Sequence, residues 1–74
     1  MSIAYTGHAK SRMRHRGILK SDVEDAVLHP YFTVPSRLGR FIAVKKYGGK
    51  YLKAICEKSN DKITVVTVYW TRRP

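Results

Sequence analysis

The chain has one cysteine, one asparagine, no glutamine and only five acidic residues among its 74. With Cys56 alone, an internal disulfide and any cysteine-based zinc motif are excluded. Its neighbours in Leu52-Lys53-Ala54-Ile55-Cys56 are mostly apolar, which points to a buried thiol rather than a nucleophile. No signal-peptide pattern opens the chain, and no apolar run approaches the ~20 residues of a membrane-crossing helix, so a cytoplasmic, reducing setting is expected. The near absence of side-chain amides is a pattern of heat-loving sources. No Gly-rich phosphate loop precedes a helix, and no nucleophile elbow is present. Asp22, Glu24 and Asp25 look committed to a helix start, which leaves no carboxylate pair for glycoside chemistry. Three histidines without carboxylates at ligand spacing predict neither a metal nor another cofactor.

What is present is positive charge. The formal net charge is +10, from 15 Lys and Arg. Residues 1–20 contribute +5, residues 21–30 contribute −3 and residues 31–74 contribute +8. A surface this basic attracts polyanions over a Debye length, so RNA or another nucleic acid is the expected partner. An acidic inhibitor protein also fits the charge, and no membrane partner is expected. The densest stretch is Thr6-Gly7-His8-Ala9-Lys10-Ser11-Arg12-Met13-Arg14-His15-Arg16-Gly17-Ile18. In a helix, His8, Arg12 and Arg16 stack as one ridge at i, i+4, i+8. Like charges there oppose helix formation, so the ridge is best maintained with an anion against it. Lys10 and Arg14 read equally well as solvated surface.

At this length one domain is expected, with a core near the lower limit of sufficiency. Thr6 is placed to cap a first helix over residues 6–16, and Gly17 suits the left-handed residue that ends it. Ser21 and Glu24 have the spacing of a capping box for a second helix, which carries Leu19, Val23, Ala26 and Val27 at helical spacing and stops at Pro30. From Tyr31 onward the period is two. Strands are predicted over residues 31–34, 40–47, 50–57 and 62–70, with a hairpin at Gly48-Gly49 and a turn over residues 58–61. The expected fold class is α+β: two N-terminal helices packed on a four-stranded antiparallel β-meander, in one domain over residues 1–74 with a frayed basic tail over 71–74.

Alternation sets Leu52, Ala54 and Cys56, with Val66, Val68 and Trp70, toward the helices. The other side then carries Tyr51, Lys53, Ile55 and Glu57, with Val65, Thr67 and Tyr69 across. Either Lys45 or Arg40 joins that side, depending on a register that a one-residue slip would reverse. Lys53, Tyr51, Tyr69, Lys45 and Arg40 are the candidate nucleic-acid contacts. Ordinary solvent-side residues of a half-buried sheet would look the same.

His8-Ala9-x-x-Arg12-Met13-x-x-Arg16-Gly17-Ile18, the Ser-Asp-Val-Glu-Asp-Ala-Val helix and the closing Thr67-Val68-Tyr69 resemble a family of small uncharacterised domains. That family looks like part of the RelE-like and barnase-like ribonuclease toxins. The resemblance spans Tyr5 to Tyr69 and implies a RelE-like fold, with possible metal-independent ribonuclease activity, toxin–antitoxin pairing, and His8, Arg12, Arg16 and Thr67 as matching positions. His15 departs from the pattern, standing where a carboxylate or amide is common.

Independently of that likeness, metal-free RNA cleavage needs a base for the 2′-hydroxyl, an acid for the leaving oxygen and cations for the phosphorane. His8 can serve as base or acid near neutral pH, and Arg12 and Arg16 supply forked, permanent charge. Thr67 and Tyr69 would orient the phosphate, with Lys53 adding to the field. Three readings follow: a small endoribonuclease, a non-catalytic RNA- or DNA-binding domain stacking bases on its tyrosines, or an inactive structural relative of the nucleases. Structural roles compete for each residue. His8 can pack on Tyr5, Arg12 can pair with Asp22 or Asp25, and His29 can end a helix.

Overall fold

The computed structural model describes residues 2–73. The order is β1 (Ser2–Tyr5), α1 (Gly7–Arg16), α2 (Lys20–Leu28), β2 (Phe32–Pro35), β3 (Arg40–Tyr47), β4 (Lys50–Ser59) and β5 (Lys62–Thr71). Both helices are present, but the sheet corrects the expected four-stranded antiparallel meander. It has five strands in the order β1-β5-β4-β3-β2, and β1 lies parallel to β5, with Ser2 opposite Lys62 and Tyr5 opposite Val65. A four-residue strand is too short to show a period of two. β1 exists because β5, nearly sixty residues away, offers it an edge.

The helices start and stop differently. Thr6 caps α1 as expected: its hydroxyl accepts from the Ala9 N–H (3.1 Å). Gly17 ends α1 at φ 63°, where its N–H reaches the Met13 carbonyl and a side chain would be strained. The capping box of α2 does not form, because the helix begins at Lys20, two residues earlier than a Ser21 cap implies, with Leu19 as a cap that offers no side-chain bond.

Cross-strand register decides the two faces. The Gly48-Gly49 loop pairs Tyr47 with Lys50, with Gly48 at φ 61°. Leu52, Ala54 and Cys56 are fully buried under the helices with Ala9, Val23 and Ala26. In β5 the expected alternation breaks. Cys56 faces Val65 and Ile55 faces Thr67, so Val66 is an extra residue in a bulge. The phase shift lets Ile63 and Val65, then Val68 and Trp70, all turn toward the helices. Strict alternation puts Val65 on the wrong side and Val66 in the core. The strand continues through Thr71, one residue past its predicted end. Pro74, the last residue of the predicted tail, lies outside the described residues.

Thr6 holds this bulge to α1. Its N–H donates to the Val65 carbonyl (3.1 Å), and its hydroxyl donates to the Val66 carbonyl (2.7 Å) while accepting from Ala9. Thr6→Val keeps the shape and the backbone bond but removes the hydroxyl. The loss is a helix cap, about 1 kcal/mol, plus an orphaned carbonyl at about 1–2 kcal/mol. A fall of roughly 2–3 kcal/mol in unfolding free energy is expected from urea titration.

Candidate nucleic-acid interface

The sheet face away from the helices is read row by row from the register. At the hairpin end, Lys46, Tyr51 and Thr71 stand side by side across β3, β4 and β5. Next come Phe32, Val44, Lys53 and Tyr69, then Val34, Ile42, Ile55 and Thr67. Arg40, Glu57 and Thr64 form the far row. Directly opposed residues lie about 4.5–5.5 Å apart at Cβ, so Lys46–Tyr51 and Lys53–Tyr69 are neighbours within side-chain reach. The structure therefore brings together Tyr51, Lys53, Thr67 and Tyr69.

Arg40 and Lys45 separate. Arg40 shares the open face, but its Nε donates to Glu57 Oε2 (3.2 Å), so its charge is already answered. Lys45 is on the opposite face, paired with Leu52. Its Nζ donates to the His29 carbonyl (2.7 Å) and lies 3.5 Å from Asp25 Oδ2. Lys45 fastens β3 to the C-terminal end of α2, and His29 is the residue that ends that helix. The β3 lysine on the open face is Lys46, which was not among the candidate contacts. The signal was legible, since a two-residue Gly48-Gly49 loop forces Tyr47 opposite Lys50 and hence Lys46 opposite Tyr51.

His8, Arg12 and Arg16 all lie on α1, whose Ala9 packs into the core beside Val65 and Val68. They are thus carried on the helix-covered side, while Thr67 projects from the other. His8 and Arg16 are exposed and Arg12 is half-buried. Among the described residues none of the three makes a side-chain hydrogen bond or ion pair, and the alternative pairing of Arg12 with Asp22 or Asp25 is not formed. Asp25 is held instead by Lys45 and by the Tyr47 hydroxyl (3.1 Å), which also donates to the Asp22 carbonyl (3.2 Å). The link between ridge and strand is the Thr6 tether, which fixes the start of α1 at the bulge next to Thr67.

Among the described residues three groups are perturbed, and all lie on the helix side. Burial pushes the Cys56 thiol up to about 12. Burial and then the Glu24 carboxylate raise Tyr5 to about 12, and burial followed by its bond to Asp25 does the same for Tyr47. These are packing effects on the protonated forms and mark no nucleophile. No group of three or more metal-ligating side chains occurs among the described residues, and no helix is long and apolar enough to cross a membrane.

A family model described as a domain of unknown function (DUF4258) matches residues 5–70. No curated protein and no solved structure matches the chain.

Proposed function

The chain belongs to the DUF4258 family, and from its own geometry we propose that it binds single-stranded RNA across the open face of its sheet. One observation carries this reading: two tyrosines, Tyr51 and Tyr69, each stand beside a lysine, Lys46 and Lys53, that has no carboxylate partner among the described residues. Aromatic faces that stack bases, set beside cations that meet phosphates, are the working parts of a single-strand platform. Thr67 and Thr71 add hydroxyls that can bond a ribose 2′-hydroxyl, the group that separates RNA from DNA. The cationic ridge of α1 adds to the long-range field that speeds capture.

The test is fluorescence-anisotropy binding of a labelled RNA at several salt concentrations. Affinity is expected to fall linearly on a log–log plot with salt. Tyr69→Ala is expected to weaken binding by about 1–3 kcal/mol, the worth of one stacked base. Binding unchanged in Tyr69→Ala removes the sheet face from the interface.

A second reading keeps the likeness to RelE-like and barnase-like ribonuclease toxins, which rests on the opening His-Ala-x-x-Arg-Met motif and the closing Thr-Val-Tyr. Its residues do not all meet: the α1 ridge lies on the helix-covered side, while Thr67 projects from the other face of β5. Here His8 is the acid or base, Arg12 and Arg16 stabilise the phosphorane, and an acidic inhibitor protein is the natural partner. Incubation with total RNA in a chelator separates the two readings. New RNA ends that disappear in His8→Ala support cleavage, whereas salt-sensitive binding without new ends supports the platform.

A further inference from the structure

Just beyond the Lys46–Tyr51–Thr71 row, the rim of the sheet carries a second, distinct feature. A cleft of about 360 Å³ is lined by Gly49, Lys50 and Arg72. We infer that this cleft holds a phosphomonoester, the terminal phosphate of the RNA strand that crosses the open face. The inference rests on the RNA-binding reading for the source of that phosphate, but the site itself stands on local chemistry.

Lys50 and Arg72 both line the cleft, and neither is in an ion pair among the described residues. Among the described residues, Asp25 near this end of the sheet is already engaged by Lys45 and Tyr47. A phosphomonoester carries between one and two negative charges near neutral pH, which two cations can match, whereas an internal phosphodiester carries one. Arg72 offers a guanidinium fork for two phosphate oxygens, and Lys50 a point charge.

The backbone is open to an anion as well. Among the described residues the Gly49 N–H donates to no backbone carbonyl. A Cβ built on Gly49 would meet nothing within 4 Å, so the space beside this residue is open. Lys50 is also positioned in advance. Its Nζ lies 4.7 Å from the centroid of the Trp70 ring, which is braced edge-on by Tyr47 at 5.8 Å. An ammonium over an aromatic face is partly ordered before ligand arrives, which lowers the cost of binding. The cleft adjoins the platform: Lys50 follows Gly49 and precedes Tyr51, so a strand stacked on Tyr51 needs only to round the hairpin rim.

Trp70 is the sole tryptophan and reports directly on Lys50. Inorganic phosphate and a nucleoside 5′-monophosphate are titrated into the whole protein, with chloride at matched ionic strength as control. A saturable change in Trp70 fluorescence and a shift of the Gly49 amide resonance are expected with both phosphates. Both responses should weaken at least tenfold in Arg72→Ala, whose exposed site leaves the fold intact. No saturable response beyond chloride, or an equal response in Arg72→Ala, overturns the site.

A second arm identifies the source. A 5′-phosphorylated RNA is expected to bind at least fivefold tighter than the same RNA with a 5′-hydroxyl, and a 3′-phosphorylated strand tests the other end. The advantage should vanish in Arg72→Ala. Equal binding of all three strands overturns the terminal-phosphate assignment while leaving the platform standing. Phosphate binding with no RNA binding instead overturns the platform and leaves a free nucleotide as the ligand.

Discussion

Raising the pH from 8 to 12 is expected to unfold the domain, and Cys56 is the largest single reason. The thiol is fully buried, donates only to the Ala54 carbonyl at 3.4 Å, and is held protonated up to about 12. In the unfolded chain a thiol ionises near ~8.5 and a tyrosine near ~10. Between those values and 12, the unfolded state therefore binds fewer protons than the folded one. Stability then falls as pH rises, and the contribution is complete only below the unfolded values. Tyr5 and Tyr47, also raised to about 12, act in the same direction above pH 10.

The size of the effect decides the outcome. A rise of the thiol from 9.0 to about 12 corresponds to about 4 kcal/mol of differential protonation energy. A chain of this length has a total stability of roughly 4–11 kcal/mol. Circular dichroism across the pH range should show a plateau from pH 6 to 8 and a steep loss above 9. Cys56→Ala lowers the plateau by leaving a small void, but it should flatten the decline between pH 9 and 10, where tyrosines contribute little. Parallel declines in the two proteins would mean that the thiol does not govern alkaline unfolding.

Charge reversal at Lys46 and Lys53 together is expected to weaken RNA binding by at least a hundredfold at physiological salt. Both lysines stand on the open face, one beside Tyr51 and one beside Tyr69. Each phosphate contact on a single strand adds about 0.7 to the steepness of the salt dependence, so losing two lowers the slope by about 1.4. Neither lysine belongs to an ion pair among the described residues, so urea stability should move by less than about 1 kcal/mol. The same reversal at Lys45 is the informative control. It should destabilise the fold by breaking the tie to Asp25 and His29, while leaving the salt slope near that of the parent. A double variant that retains affinity and slope would shift the interface to α1.

Much of the chain was legible because its signals are local. Thr6, Gly17 and Pro30 bound the helices through their own backbone chemistry, and the Gly48-Gly49 turn follows from what a two-residue loop demands. The burial of Cys56 and the grouping of Tyr51 with Lys53 follow from a period of two within one strand. The overall positive charge needs no coordinates at all.

The remainder was decided by contacts between distant segments. β1 is defined by the edge that β5 offers, so no window around Ser2–Tyr5 could reveal it. The bulge at Val66 re-phases β5 because α1 must be tied down there, and one inserted residue moves Val65 into the core. Lys45 and Lys46 are adjacent and chemically identical, yet pleating sends one to Asp25 and the other to open solvent. The cleft at Gly49, Lys50 and Arg72 joins residues more than twenty positions apart. Local sequence sets which elements form, whereas pairing partners and packing set which way each charge points.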